Sequence, residues 1–325
     1  MTAPTPLRLG TRGSALALVQ AHDIQRQLQA AGFEVEIVVR QTIGDLNKES
    51  AFSAVGPPGI FVREIETALQ EGDIDLAVHC YKDLPSVSPD GLVIGAVPPR
   101  ANPGELLIVR RDAHVPDAMS LPLAPGAAVG TSAARRRAQL AEARPDLDCR
   151  DLRGNVPTRI QKLIDSQGDG KGKGQYDAIV LAAAGIERLA AGAARGENDA
   201  PDLEACVVVR LDPEVFVPAP SQGALALQVR ADDAATRAAV AHLHDPATAR
   251  ALAAERMLLG LVQAGCEAPL GGFCRPRPDG DLELFVFFEE AGRVVRAHEI
   301  GREPEALARA AFAHFGRGPA PEDAP

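Results

Sequence analysis

The stretch that decides the fold runs from residue 128 to residue 160 and reads AVGTSAARRRAQLAEARPDLDCRDLRGNVPTRI. Its apolar start, Ala128–Gly130, is typical of a short buried strand. Thr131 and Ser132 follow, and their hydroxyl groups suit the N-cap of a helix. The stretch therefore predicts a strand–turn–helix unit whose helix begins at the carboxyl end of the strand.

Arginines are concentrated in the same stretch, although the whole chain carries a net charge of −10. Arg135 and Arg136 fall in the first predicted helical turn, where the helix dipole disfavours cations. A solvated, arginine-rich helix face is the ordinary alternative. A second cluster, Arg153-Gly154-Asn155 with Arg159, follows closely behind, and it favours an anion bound at the start of the helix.

The composition excludes several classes of protein. The 325 residues suggest two or three domains, and the acidic balance argues against binding to nucleic acid or to a membrane surface. We find neither a transmembrane run nor the pattern of a signal peptide. The five cysteines show no CxxC spacing, so we expect neither disulfides nor a metal site. Together these features predict a cytoplasmic protein.

Strands alternate with helices along most of the chain, which predicts parallel βαβ units arranged in two α/β lobes. A proline-flanked segment, Val215–Arg230, suits a hinge strand that crosses between the lobes. From about residue 242 the pattern changes to antiparallel strands with helices, which indicates a small third α+β domain. We expect domain 1 to span 1–101 with 224–241, domain 2 to span 102–223, and domain 3 to span 242–325.

Two positions at strand ends carry residues suited to chemistry. Lys82-Asp83 follows a buried strand, where open α/β sheets place their ligands. The Asp83 carboxylate can stabilise a developing cation or transfer a proton, although aspartate is also common in turns. Arg12 and Ser14 occupy the corresponding turn of the first lobe, where they suit either a bound anion or a simple helix cap.

The cysteines leave one question open. Cys266 follows Gly265 in a loop after a predicted helix, and a thiol there can be accessible. No histidine lies near it in the sequence to activate it as a protease-type nucleophile. On spacing alone Cys266 is either an inert thiol or a reactive one, and Cys274 remains a competitor.

Eight ordered motifs together resemble the porphobilinogen deaminase (hydroxymethylbilane synthase) family, and they span nearly the whole chain. No single motif is specific enough, but their order and spacing are. They are LGTRGSALAL (9–18), GIFVREIETAL (59–69), DIDLAVHCYKDLP (73–85), VGTSAARRR (129–137), LRGNVPTRI (152–160), DAIVLAAAGIERL (177–189), PAPSQGALAL (218–227) and AGCEAPLGG (264–272).

The resemblance implies a fold, a cofactor and a reaction. The family has two periplasmic-binding-protein-like (type II) α/β lobes joined by a hinge, and a small C-terminal α+β domain. A dipyrromethane cofactor, built from two substrate units, would be attached to Cys266 through a thioether. Four porphobilinogens would be added with loss of ammonia, and water would release the linear tetrapyrrole hydroxymethylbilane. No metal, nucleotide, nucleic acid or membrane is implied, and a cytoplasmic monomer is expected.

The resemblance also assigns roles to residues of the cleft. Asp83 would face the pyrrole nitrogens of the cofactor, assist the loss of ammonia and stabilise the azafulvenium-like cation. The acid side chains of the cofactor would be held by Lys82, Thr131, Ser132, Arg135, Arg136, Arg153 and Gly154. The incoming substrate would be received by Arg12, Ser14, Gln20, Arg153, Arg159 and Arg188. Arginine suits this task because its planar guanidinium binds carboxylates bidentately.

Two departures and two rival functions accompany the resemblance. Pro57-Pro58 stand in the loop where the family usually has lysine, and Ala133 replaces a common serine. The rivals are a two-lobed small-anion binding protein without catalysis, and a different transferase with a cysteine nucleophile. Only the family's activity requires a covalent dipyrromethane, so the mass of the protein distinguishes all three.

Overall fold

The structure is a computed structural model, and it describes residues 6–40, 62–116, 120–166, 176–262 and 268–317. Cys266 and the Pro57-Pro58 loop lie outside these residues, as does most of the segment 166–175, which resembles an insertion. The described chain forms three β-sheets, each covered by helices. Within the described residues, no helix has the length and apolar character needed to cross a membrane.

The first sheet has five strands in the order β2-β1-β3-β10-β4. Strand β1 runs parallel to β2 and β3, whereas β10 runs antiparallel to β3 and β4. Two helices, α1 and α2, follow strands on this sheet. The strands are β1 (Leu7–Arg12), β2 (Val35–Arg40), β3 (Leu76–Cys80), β4 (Leu92–Ala96) and β10 (Leu225–Arg230), and the helices are α1 (Ala15–Ala30) and α2 (Arg63–Gln70).

The second sheet repeats this arrangement in the order β7-β6-β8-β5-β9. Strand β6 is parallel to β7 and β8, and β5 is antiparallel to β8 and β9. The strands are β5 (Glu105–Arg110), β6 (Ala128–Gly130), β7 (Asp148–Arg150), β8 (Ala178–Ala182) and β9 (Cys206–Leu211). The accompanying helices are α3 (Ala134–Ala143), α4 (Val156–Ile164) and α5 (Ala183–Ala194). The predicted two-lobed α/β fold is therefore confirmed.

The expected parallel βαβ units are present, but one strand in each lobe runs antiparallel to its neighbours. Strands β5 and β10 are the first strands the chain forms after it crosses from one lobe to the other, and both are antiparallel to their neighbours. A strand that enters a sheet from a crossing segment needs no crossover helix, so it can pair in the antiparallel direction.

Two crossing segments, 97–104 and 212–224, join the lobes and contact each other. The Ala101 amide donates to the Gly223 carbonyl at 3.2 Å, and the Gln222 side-chain amide donates to the Pro103 carbonyl at 2.8 Å. Gly223 has a φ of +86°, and a Cβ at this position would lie 2.6 Å from the Ala101 carbonyl oxygen. The segment expected to form a hinge, Val215–Arg230, thus crosses between the lobes packed against the other crossing segment.

The C-terminal part forms a small α+β unit around the antiparallel sheet β11-β12-β13. Two helices, α7 and α8, pack on one face of this sheet and share an apolar core with it. The elements are α7 (Pro246–Val262), β11 (Leu270–Pro276), β12 (Leu282–Glu290), β13 (Arg293–Gly301) and α8 (Pro304–Ala313). The intervening helix α6 (Ala234–Ala241) instead packs on β4 and β10 of the first lobe. The small C-terminal α+β domain is therefore confirmed.

One buried carboxylate connects this third unit to the hinge. Glu255 on α7 is fully buried and accepts hydrogen bonds from the Arg100 guanidinium at 2.6 Å and from the Ser221 amide at 2.5 Å. It also accepts from the Cys274 amide at 2.6 Å. Both crossing segments and strand β11 therefore meet at a single side chain of the third unit.

Candidate active site

The turn that follows β3 carries Lys82 and Asp83. Residues Tyr81–Asp83 form one turn of 3-10 helix at the carboxyl end of the strand, and the Asp83 side chain is exposed. The Lys82 ammonium donates to the Gln222 side-chain oxygen at 3.1 Å, which ties the turn to the hinge. Burial lowers the pKa of Lys82, and the nearby Arg136 cation lowers it further, whereas Asp83 raises it. Lys82 is thus a cation that a bound anion would stabilise.

Gln20 lies beside this turn, on the first helix of the same lobe. It is buried, and its amide contacts the Cys80 sulfur at 3.3 Å. Burial raises the pKa of the Cys80 thiol, and the Asp83 charge raises it further. Cys80 therefore stays a neutral thiol, and the structure gives it no activation as a nucleophile.

Arg135 and Arg136 lie in the first turn of α3, as the sequence predicts, but both side chains are buried. They converge on the Glu105 carboxylate at the start of β5, which Arg136 binds through Nε at 3.0 Å and Nη2 at 2.7 Å. Burial opposes ionisation of Glu105, but Arg136 and Arg135 outweigh it and lower its pKa to about 2. One carboxylate thus faces two guanidinium groups, and one positive charge is left over.

The predicted helix cap at Thr131 or Ser132 is wrong. The N-cap residue is Ala133, which has no side-chain acceptor. The Ser132 hydroxyl is occupied elsewhere, because it donates to the Leu152 carbonyl at 2.8 Å and accepts from the Leu152 amide at 3.2 Å. The Thr131 hydroxyl accepts from the Ala133 amide at 3.3 Å. The start of α3 is therefore organised by the neighbouring segment after β7.

The second arginine cluster surrounds the start of α4. Asn155 caps this helix by accepting the Thr158 amide at 2.9 Å. Arg159 Nε donates to the Gly154 carbonyl at 2.7 Å, and the Arg153 carbonyl accepts from the Lys162 ammonium at 3.0 Å. Burial lowers the pKa of Arg159 to about 10, with a further contribution from Arg136, while Asp83 acts in the opposite direction. Arg159 therefore lies within electrostatic reach of both Arg136 and Asp83.

The other predicted residues come from both lobes. Arg12 ends β1, and the Ser14 hydroxyl caps α1 by accepting the Ala17 amide at 3.3 Å. Arg188 lies on α5 of the second lobe, where its Nη2 donates to the Gly223 carbonyl at 2.8 Å. Burial lowers the pKa of Arg188, and the Cys80 thiol lies close enough to influence it. Arg188 therefore lies beside the hinge and the Lys82-Asp83 side of the cleft.

The lobes touch on the side where these residues lie. Val19 on α1 packs directly against Gly192 on α5, leaving no room for a Cβ there. An ion pair between Arg26 on α1 and Glu197, just after the end of α5, also joins the two lobes. Arg12, the Lys82-Asp83 turn and Thr131 stand at the carboxyl ends of β1, β3 and β6, and this is the edge where open α/β sheets bind ligands.

The structure brings a subset of the predicted residues into electrostatic contact. Charge interactions link Lys82, Asp83, Arg136 and Arg159 across the two lobes. Thr131, Ser132, Arg153 and Gly154 flank the starts of α3 and α4 on the second lobe. Arg12 and Ser14 flank the start of α1 on the first lobe. These contacts describe positions and leave the assigned roles as predictions.

Two residues of the cleft escaped the sequence analysis. Glu105 neutralises part of the charge of Arg135 and Arg136, and its signal in the sequence was an acid directly before the apolar run LLIV of β5. Gln222 is buried at the hinge and bridges Lys82 to the Pro103 carbonyl. No local pattern marks Gln222, because its partners are more than 100 residues away.

One of the described cysteines, Cys274, was an alternative to Cys266 as the attachment point of the cofactor. Cys274 is buried in β11, and burial together with the Glu255 charge raises the pKa of its thiol. A thiol in that environment is a poor nucleophile. Cys266 lies outside the described residues, so its role as the anchor stays a prediction.

The charges of the cleft fit a ligand that carries several carboxylates. Burial lowers the pKa values of Lys82, Arg135, Arg159 and Arg188. Each of these groups is therefore partly deprived of water while it keeps a positive charge, and an acid group at the same place would offset that cost. A dipyrromethane with acetate and propionate side chains supplies such acids.

Comparison with known proteins gives a consistent result. A family model described as "Porphobilinogen deaminase, dipyromethane cofactor binding domain" matches residues 7–238. The porphobilinogen deaminase of Syntrophobacter fumaroxidans is 39% identical over 310 residues, covering 91% of this chain and 92% of that protein. The enzymes of that name from Roseiflexus castenholzii and Bacillus cereus are 40% and 38% identical, each covering 91% of this chain and 90% of the relative.

Among solved structures, the methionine binding protein MetQ matches with a TM-score of 0.40 at 14% identity, over 75% of this chain and 91% of that chain. A TM-score this low does not establish a relationship between the two structures. The family model, which matches residues 7–238, and the relatives, which cover 91% of the chain, show the family by themselves. The chain therefore belongs to the porphobilinogen deaminase family.

Proposed function

We propose that this chain is a transferase of tetrapyrrole, and hence haem and porphyrin, biosynthesis. It joins four porphobilinogen molecules with loss of ammonia and releases the linear tetrapyrrole hydroxymethylbilane by hydrolysis. Family membership over 91% of the chain supports the activity. The observation that carries the mechanism is the position of Asp83, an exposed carboxylate within electrostatic reach of Lys82 and Arg159.

The dipyrromethane cofactor, when bound, supplies the primer whose free pyrrole position accepts the first substrate. Positively charged and hydrogen-bonding groups of the chain hold the acid side chains of this cofactor. We assign this role to Lys82, Thr131, Ser132, Arg135, Arg136, Arg153 and Gly154, with Cys266 as the covalent attachment point. Hydroxyl and backbone donors beside guanidinium groups suit carboxylates, because charge-assisted hydrogen bonds are the stronger kind.

Arg12, Ser14, Gln20, Arg153, Arg159 and Arg188 receive the incoming porphobilinogen. Its acetate and propionate groups are acids that cations on both sides of the cleft can bind. Arg159 is already partly desolvated, with its pKa lowered to about 10. Binding a substrate carboxylate there restores the favourable environment of the cation, and it orients the aminomethyl group toward Asp83.

Asp83 acts on the charge that develops when ammonia leaves. Its carboxylate stabilises the positive charge on the substrate ring, and it can hold the proton that must be lost after the new bond forms. Glu105 is unsuited to this role, because it is buried and paired with two arginines. Asp83 is also exposed to the cleft, where a substrate can reach it.

Intact-mass measurement of the purified protein tests this function. We expect a mass excess of two pyrrole units, lost in Cys266→Ser and kept in Cys274→Ser. Incubation with porphobilinogen should then release ammonia and add further pyrrole units in steps. An unmodified wild-type protein that is active would refute the proposal.

The alternative is a two-lobed protein that binds small anions without catalysis. Such a protein would bind porphobilinogen without releasing ammonia and would carry no covalent pyrrole. We favour the enzyme because the matched relatives are enzymes over their full length. We also expect a cytoplasmic monomer, which fractionation and sedimentation would check.

A further inference from the structure

A side chain of the third unit is hydrogen-bonded to the turn that carries Asp83. Arg256 lies on α7, six residues before that helix ends at Val262. Its Nη1 donates to the Leu84 carbonyl at 2.9 Å and to the Tyr81 carbonyl at 3.4 Å. Its Nη2 donates to the Pro85 carbonyl.

The same guanidinium also packs on an aromatic ring of the turn. The Arg256 Cζ atom lies 4.8 Å from the centroid of the Tyr81 ring. Carbonyl groups at the end of a short helical turn need donors from outside it, and arginine offers several donors in one rigid plane. A single side chain therefore fixes both the backbone and the leading ring of this turn.

The position of Asp83 depends on that backbone. Among the residues that the structure describes, the Asp83 carboxylate makes no hydrogen bond or ion pair of its own. Asp83 lies between Tyr81 and Leu84, whose carbonyls Arg256 binds. Movement of the turn would therefore carry the carboxylate with it.

We propose that Arg256 is a positioning residue for Asp83. It acts through the carbonyl groups of residues 81, 84 and 85, and it couples the helix that precedes the Cys266 segment to the catalytic turn. The inference rests on the proposed role of Asp83. It adds that the third unit contributes to the geometry of catalysis as well as to attachment of the cofactor.

The experiment compares Arg256→Ala and Arg256→Lys with Arg250→Ala in the full-length, cofactor-loaded protein. Arg250 is a matched control, because it lies on the same helix and donates to carbonyl groups of Gly280 and Arg302 within the third unit. For Arg256→Ala we expect kcat to fall about 10- to 100-fold, with KM and cofactor loading unchanged. Arg256→Lys should recover part of kcat, and Arg250→Ala should keep it.

Two further readouts separate positioning from simple structural support. Hydrogen–deuterium exchange of the backbone amides of residues 81–84 should rise in Arg256→Ala and Arg256→Lys, but not in Arg250→Ala. In an Asp83→Glu background, Arg256→Ala should cause a much smaller additional loss of kcat, because residues that act together are not additive. Additive losses, unchanged exchange, or equal kcat in Arg256→Ala and Arg250→Ala would each overturn the inference.

Failure of the proposed function gives a different result. If Asp83→Asn kept normal turnover, the role of Asp83 itself would be rejected. If Asp83→Asn abolished turnover while Arg256→Ala behaved like Arg250→Ala, the role of Asp83 would stand and only the positioning role would fall.

Discussion

Glu105 and Arg136 form a two-point ion pair at the boundary between β5 and α3. Nε and Nη2 of Arg136 reach the two carboxylate oxygens at 3.0 and 2.7 Å. Arg135 donates to the same carboxylate, so two buried cations share one buried anion. The arrangement holds both guanidinium groups in place without cancelling their combined charge.

Glu105 should make the stability of the protein depend on pH. Its pKa falls from 4.5 to about 2 in the folded state, so its contribution is fully present above about pH 4.5 and is lost as the pH falls toward 2. Glu105→Gln removes one partner of a buried pair and should lower the free energy of unfolding by about 3–5 kcal/mol at pH 7. Urea unfolding measures the difference.

The difference in the free energy of unfolding between wild type and Glu105→Gln should stay constant from pH 7 to about pH 4.5 and narrow as the pH falls further to 3. Glu142→Gln is the control, because Glu142 pairs with Arg296 at the surface, where such pairs contribute about 0–1 kcal/mol. A difference that stays constant down to pH 3 would contradict the assignment.

Asp83→Asn should keep the fold and the cofactor but lose turnover. Removing one group that stabilises a developing charge costs about 3–4 kcal/mol, or roughly 100- to 1000-fold in rate. Ammonia release under single-turnover conditions gives the rate, and circular dichroism verifies the fold. Turnover within a few-fold of wild type would reject the role of Asp83.

Arg136→Leu should impair assembly of the cofactor. Arg136 lies within electrostatic reach of Lys82 and Arg159, so its loss removes a cation that would hold the acid side chains of the cofactor. Arg137→Leu is the control, because Arg137 pairs with Asp151 on an exposed surface. Intact mass should show unloaded protein for Arg136→Leu and loaded protein for Arg137→Leu. Full loading of both variants would count against the assignment.

Gly223→Ala should destabilise the hinge. The φ of +86° strains any other residue, and the new Cβ would lie 2.6 Å from the Ala101 carbonyl oxygen. We expect a loss of more than about 1 kcal/mol in the free energy of unfolding. Gly196→Ala shares the positive φ, at +72°, but meets no atom within 4 Å. Equal losses in the two variants would mean that the contact with Ala101 is unimportant.

The sequence predicted the elements that local signals define. Asn155 and a proline in the first turn mark the start of helix α4, and an apolar run marks strand β8, where the structure has them. The position of Arg135 and Arg136 in the first turn of α3 was also correct. Such features depend on neighbours a few residues away, so a single sequence contains them.

Features that depend on distant partners were missed or wrong. Strand β4 contains Gly95, whose place beside Val229 and Val240 leaves no room for a side chain, and no local signal reveals that contact. The cap at Ser132 failed because Leu152 occupies the hydroxyl. The pairing of Arg136 with Glu105 spans 31 residues, so the arginine cluster in the sequence does not reveal it.

The strand order of the two lobes has a consequence for synthesis of the protein. All five strands of the second sheet come from one continuous stretch, 105–211. In the part of the first sheet that the structure describes, β4 is an edge strand paired with β10 alone, which the chain reaches at Leu225. A chain growing from its N-terminus can therefore complete the second lobe while the first lobe, although made earlier, still lacks the strand between β3 and β4. The lobe that is translated first is therefore the one whose sheet is completed last.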